Sequence, residues 1–432
     1  MTDNRMSMPI IVGISMVLSL IGISMADYEP IVYGDANNDG LIDPLDIDYV
    51  DGIVKGINER TELSDANYDG KIDEADILQI KRIINGNQTK LTLLDMDGRS
   101  VTIPQPVDRV LGIGFGFIEN TMFAFGVEDK IVGSGGAVRS DMTAGRLIPE
   151  LDELPNAGSP VEGINYETIA SANPEIVIVR KSVYFPEQTD KAVKMVEKMD
   201  IPVIVLKDPN HFHTSDVTTI YQEISLLGKI FNKEESAQHL IDEMAKRVSF
   251  IRERTENIGE EDKPKVLFCG LGSNSTRDKG GVLVVWAKEC ASTFAELINI
   301  KSAYEGTGRN ILSAEHALNL NPDVIILETS GGGWNISQLY NEDHYKNIQE
   351  IKAIRDKRVH SVGKLTYCGD IQLELPIMLM IEAKGTYPER FSDINVSEWI
   401  EKYYKDIYKL DVDSARILKE VQGLAWIDSS GF

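Results

Sequence analysis

The chain reads as an α/β protein of two lobes joined by a long helix, with a small all-α duplicated module in front. Three observations predict this. A twelve-residue acidic loop occurs twice, 30 residues apart, and an apolar stripe at helical spacing follows each copy. Past Gly86, short β-branched runs alternate with helical stretches in two sets, as in parallel sheets covered on both faces. A Glu…Asn-Pro motif recurs at a period of 148, once in each set.

The loops come first in the chain. Oxygen donors fall at positions 1, 3, 5, 9 and 12: Asp35, Asn37, Asp39, Asp43 and Asp46, then Asp65, Asn67, Asp69, Asp73 and Asp76. Gly40 and Gly70 stand at position 6, and Leu41 and Lys71 offer main-chain carbonyls at position 7. Calcium takes six to eight oxygens and the glycine permits the sharp turn, so two Ca2+ sites are expected. Ile47, Val50, Ile53 and Val54 are matched 30 positions later by Ile77, Ile80, Ile83 and Ile84, one helical stripe per loop. Residues 27–88 hold 15 acidic and 5 basic side chains, −10 of the chain's net −24. A module this small buries little apolar surface, so its crowded carboxylates couple folding to calcium.

An EF-hand has a helix before its loop and Glu at position 12. Here position 12 is Asp twice, and Tyr33-Gly34 leaves no room for a preceding helix. A loop and following helix, duplicated, resembles the dockerin module, a duplicated F-hand. The resemblance implies a cohesin-domain partner on an extracellular scaffold. Positions 10 and 11, often Ser-Thr-like in dockerins, are Pro44-Leu45 and Glu74-Ala75.

Residues 1–26 have the parts of an export signal: Arg5, an apolar stretch from Ile10 to Ile23, and a small-x-small site at Ser24-Met25-Ala26. Cleavage releases the protein; an uncleaved segment anchors it at the lower limit of spanning length. Either way the remainder is exported, to the cell surface or beyond. Three cysteines (Cys269, Cys290, Cys368) allow at most one disulfide, with Cys269 and Cys368 both ending strands. The acidic balance argues against nucleic acid as partner.

The lobes follow. Leu91–Leu94 and Val101–Ile103 flank Asp97-Gly98 as a hairpin. Strands are expected at Val110–Ile113, Ile131–Val132, Ile176–Val179 and Ile201–Leu206, then at Val266–Cys269, Val324–Leu327 and Val359–Val362. Between the sets, 216–258 has no Pro and keeps apolar residues at helical spacing, one long helix with a break near Asn232. The first lobe is about 91–213 and the second about 263–432.

The repeated motif runs from Glu167 through Asn173-Pro174 to Ile176, and from Glu315 through Asn321-Pro322 to Val324. Each reads as a short helix stopped by Asn-Pro before a buried strand. With Asp97-Gly98-Arg99, Pro106-Val-Asp-Arg109, Phe125-Gly126 and Tyr387-Pro388, this resembles the class III solute-binding proteins of iron-chelate and cobalamin ABC importers over 91 to about 410. The resemblance implies two Rossmann-like lobes forming one Fe/B12-type periplasmic-binding domain over 89–432, monomeric, non-enzymatic, and rigid about the strut. It implies that Glu167 and Glu315 dock against a membrane permease. The cargo it implies is an iron or cobalt chelate: ferric siderophore, haem or corrinoid.

Ligands of such sheets bind at the carboxyl ends of the strands. Phe115, Phe117, Arg139, Arg180 and Tyr184 stand there in the first lobe, and Asn274, Arg277, Trp286, Trp334 and Tyr367 in the second. Aromatics pack a macrocycle or catecholate, and Arg pairs with carboxylates. His211 and His213 offer a metal pair, yet the chain has only six His, few for a bare-ion receptor. Gly112-Ile-Gly114-Phe-Gly116 misplaces the third Gly of a dinucleotide fingerprint, and no nucleophile elbow or Walker loop is present. The alternatives are a scaffold-tethered protein of polysaccharide degradation and a surface interaction protein without transport.

Overall fold

The computed structural model describes residues 30–135, 143–160, 162–181, 185–209, 217–285, 295–328, 336–365 and 372–432. The export segment, Arg139, Tyr184, His211, His213, Trp286, Cys290, Trp334, Tyr367 and Cys368 lie outside the described residues.

The module folds as two loop-helix units. Helix α1 spans Pro44–Val54 and α2 spans Glu74–Ile84. Each is capped by the position-9 aspartate, Asp43 or Asp73, and each has a reciprocal capping box with the position-12 aspartate at N3. Ala36, Val50, Ala66 and Ile80 make its own small core.

The hairpin is β1 (Lys90–Leu94) and β2 (Ser100–Pro104), turned at Gly98 with φ 73°. The first lobe is a four-stranded parallel sheet in the order β4-β3-β7-β8: Ile131–Ser134, Val110–Ile113, Ile176–Lys181 and Val203–Lys207. Every residue of β3 and β7 is buried, which is why both are unbroken apolar runs apart from the last two residues of β7. A two-residue pair, β5 (Gly158–Ser159) and β6 (Gly163–Ile164), lies outside the sheet. Helices α3 (Phe117–Phe125), α4 (Thr143–Leu147), α5 (Tyr166–Ala172) and α6 (Pro186–Glu197) complete the lobe.

The linking helix is two helices. α7 (Thr219–Phe231) ends at Asn232, whose φ of 53° turns the chain, and α8 (Glu234–Thr255) runs on for 22 residues. Asn tolerates the left-handed conformation, so the break falls where the sequence marked it. α7 packs on β8, while α8 packs on α3 and on α10 (Leu375–Thr386) and α11 (Val396–Tyr408) behind the second lobe.

The second sheet is mixed, not wholly parallel as expected. Its path is β12-β10-β9-β13-β14, with β11 on the start of β9: Asn310–Leu312, Leu283–Val285, Lys265–Leu271, Val324–Leu327, Val359–Ser361 and Lys301–Ser302. β9, β13, β14 and β11 are parallel, whereas β10 pairs antiparallel with both β9 and β12. Runs of three residues carry too little pattern to be read beforehand. One apolar core, including Ile118, Leu240, Met244, Phe268, Ile326 and Met378, is continuous through both lobes and the strut. That continuity limits independent lobe motion.

Candidate calcium loops and ligand cleft

The two loops fold bond for bond alike. Asp35 accepts Asp39 N–H (3.0 Å) and Gly40 N–H (3.0 Å), as Asp65 accepts Asp69 N–H (3.0 Å) and Gly70 N–H (2.8 Å). Asp46 accepts Asn37 N–H (3.1 Å) and Asp43 N–H (2.8 Å), and Asp76 accepts Asn67 N–H and Asp73 N–H at the same two distances. Gly40 and Gly70 take φ of 88° and 87°, the turn that needs glycine.

Burial comes first in holding the Asp35, Asp46 and Asp76 carboxyls above the ordinary range; backbone amides oppose it, and neighbouring aspartates add to it. No group of three or more His, Cys, Asp or Glu side chains is gathered as a metal cluster among the described residues. An F-hand loop relies on amide and main-chain oxygens too, and the all-oxygen set, the glycine turn and the mutually repelling carboxylates fit calcium. The ion would supply the neutralising charge.

At the first lobe's strand ends the structure revises two sequence expectations. Arg180, near the end of β7, is 2 % exposed. Its Nε and Nη2 donate to Glu223 of α7 at 2.7 and 2.6 Å, and Nη1 lies 3.1 Å from Asp208. The guanidinium is committed internally and is not a free anion contact. Phe117 is wholly buried with its ring 3.9 Å from the Arg180 guanidinium, a core role. Phe115 is buried at the end of β3. In the second lobe Asn274 is exposed, and Arg277 is tied to Gly272 O (3.0 Å), Glu342 (2.7 Å) and Tyr345 (3.2 Å).

Other residues emerge only in three dimensions. Glu119, two residues into α3, is buried with both carboxyl oxygens unpartnered, and burial pushes it up to about 7. Gly112 makes room for it: a Cβ there would lie 2.4 Å from Glu119 Oε1. In the second lobe Glu328 follows β13, and burial raises it to about 7. Glu382 of α10 is fully buried with both oxygens unpartnered, raised by burial and then by Glu328. Cys269 is a free buried thiol, pushed up by burial and by Glu328. The Gln372 amide is also unpartnered. Hydrophobic patterning gives no signal for a lone acid in a core helix.

Glu119 supplies a pH prediction. Its carboxyl is raised in the fold, so the folded state holds the extra proton and this group's stabilisation fades as pH rises from about 4.5 to 7. Glu119→Gln is expected to stabilise the protein above pH 7, by up to about 3 kcal/mol. The check is the melting temperature at pH 5 and pH 8, whose difference is smaller in the variant.

Glu167 and Glu315 are exposed in the first turns of α5 and α9 (Ala314–Leu320). Asn165 and Ser313 cap these helices, and Asn173 and Asn321 end them at φ 47° and 39° before Pro174 and Pro322. The duplication is therefore structural as well as sequential.

Comparison with known proteins agrees with this fold. Residues 116–364 match the periplasmic binding protein family, and residues 33–85 match the dockerin type I domain. The molybdate-binding protein MolA of Haemophilus influenzae is 22% identical over 339 residues, 73% of this chain and 90% of that protein. Its molybdate-bound structure matches with TM-score 0.60, covering 74% of this chain and 98% of that one at 19% identity. A periplasmic solute binding protein from Veillonella parvula matches with TM-score 0.65 at 19% identity, covering 79% and 99%. Helicobacter pylori CeuE, in a nickel-histidine complex, matches with TM-score 0.59 at 18% identity, covering 76% and 98%. The chain thus belongs to the periplasmic binding protein family, with a dockerin type I domain preceding its binding lobes.

Proposed function

We propose that the lobe pair is the extracytoplasmic receptor of an ABC importer and that its cargo is a metal chelate: a ferric siderophore, haem or a corrinoid. Proteins of this family are solute carriers that work with membrane permeases, and a dockerin domain implies a cohesin-type partner. The observation that carries the choice of cargo is charge. Among the described buried groups near the strand ends, Glu119, Glu328 and Glu382 are acids, while the two buried cations that end β7 are already neutralised, Arg180 by Glu223 and Asp208 and Lys181 by Asp97 and Asp190. Buried acids behind the strand ends disfavour a small bare oxyanion and suit a ligand that brings its own metal charge and apolar bulk. MolA, named for molybdate, keeps an oxyanion as the competing outcome.

No helix among the described residues is long and apolar enough to cross a membrane. Glu167 and Glu315, one exposed acid per lobe at matching places, are proposed to dock it. Charge reversal of both to Lys is expected to lower uptake at least about tenfold in reconstituted vesicles, with ligand affinity unchanged. Unchanged uptake would reduce the two glutamates to favourable first-turn acids.

A further inference from the structure

The dockerin domain is joined to the lobes by more than a peptide linker. Residues 31–33 lie antiparallel on β1: Leu94 N–H donates to Ile31 O (2.9 Å), Tyr33 N–H donates to Thr92 O (2.9 Å), and Val32 bridges Leu93. The Tyr33 hydroxyl, in a side chain only 1 % exposed, reaches Glu62 of the module and Ser100 of β2, both at 2.9 Å. Gln79 of α2 donates to Lys90 O (2.9 Å). Val32 is part of the lobes' continuous core, with Ile42 and Ile83 packed against it. The hairpin is in turn pinned to β8, through Met96 N–H to Val205 O (3.0 Å) and Val205 N–H to Asp95 (3.1 Å).

The first calcium loop meets the strut at its break. A cleft of about 290 Å³ has Asp35, Gly40 and Ile42 on one wall and Lys229, Glu234 and Gln238, flanking Asn232, on the other. Asp35 is buried there, whereas its duplicate Asp65 is only half-buried. The duplicated loops therefore occupy different surroundings, and the strap at 31–33 leads directly into the first of them.

We infer that the dockerin domain acts as a calcium-dependent clamp on the first lobe and the α7–α8 elbow, so that calcium at the module stabilises the ligand-binding lobes. A loop held by calcium keeps Asp35 and Ile42 in place and so keeps the strap paired with β1. By linkage the docked lobe in turn favours the ordered loop. The docked face leaves Leu41, Leu45, Ile57 and Leu78 exposed, at 60, 59, 76 and 50 %, so an external partner can bind while the clamp is closed. A scaffold-bound protein would then present its lobes in one orientation rather than on a loose tether.

The inference rests on calcium binding by the loops but on no property of the cargo. All four tryptophans (Trp286, Trp334, Trp399, Trp426) lie outside the module, so tryptophan-detected melting of the full chain reports the lobes alone. Calcium in place of chelator is expected to raise that melting temperature by about 3 °C or more. The shift vanishes in an Asp39→Ala/Asp69→Ala variant. Hydrogen exchange at Tyr33 and Leu94, the junction amides, is expected to speed up at least tenfold on chelation. Two ions bound in a calcium titration without either response would overturn the clamp and leave the loops intact as calcium sites. No ions bound would overturn both, and a full shift in the calcium-blind variant would place the effect elsewhere.

Discussion

Replacing Asp46 and Asp76 by alanine is expected to abolish the calcium-induced gain of helix in residues 31–86. Each aspartate has three tasks. By its loop position it is the expected last donor to the ion, it accepts the N-cap amide of Asp43 or Asp73, and it crosses the loop to Asn37 or Asn67. Losing the N3 acceptor leaves the Asp43 or Asp73 amide without its half of the capping box, and losing the donor removes the charge that draws the ion. The module's own core is four buried residues, too small to fold without that contribution. Asparagine at both positions keeps an acceptor for the amides and loses only charge. Far-UV circular dichroism during a calcium titration should therefore rank wild type above the Asn variant and the Asn variant above Ala. An Ala variant with the full wild-type response would remove Asp46 and Asp76 from the sites.

Arg180→Met is the second large effect. The substitution leaves Glu223 and Asp208 buried without their counter-charge, and breaking a buried pair costs about 3–5 kcal/mol. Burial pushes the Glu223 carboxyl up to about 7 even with Arg180 beside it, and without Arg180 it goes higher. A carboxyl raised in the fold is most favourable below its unfolded value and loses that advantage as pH climbs through the folded one. The deficit should therefore be largest at pH 8 and smaller at pH 5. Adding Glu223→Gln and Asp208→Asn should recover most of the loss, because neutral groups tolerate burial better than unpaired charges. Urea denaturation at the two pH values gives the check; a loss below about 1 kcal/mol at pH 8 would mean water or a neighbour already serves the acids.

The calcium loops were legible because ligand spacing and helix capping use the same residues. Asp43 is both the ninth loop position and the N-cap of α1, so one pattern specifies both. The parallel strands were legible because burial on both faces makes them short continuous apolar runs, as in Ile176–Val179. The break at Asn232 was marked by a residue that tolerates positive φ.

Long-range pairing was not legible. Arg180 looked like a cleft cation because nothing local reveals Asp208 and Glu223, which are 28 and 43 positions away. No local pattern pairs residues 31–33 with β1, and only the fold brings them together. Glu119 and Glu382 sit in apolar helices where period and composition speak only of core. Their unpartnered carboxyls become evident only when the surrounding side chains are in place. The family resemblance supplied the proposed docking role of Glu167 and Glu315, but it carries no information about the dockerin junction.

Titration of the calcium-loaded full chain with haemin, cobalamin and ferric siderophores, followed by tryptophan fluorescence, tests capture of a metal chelate most directly. Molybdate and saccharides serve as comparisons. Saturable binding of one chelate, with no response to saccharide, is the predicted result. Binding of molybdate alone, or silence toward every chelate by lobes shown to be folded, would contradict it.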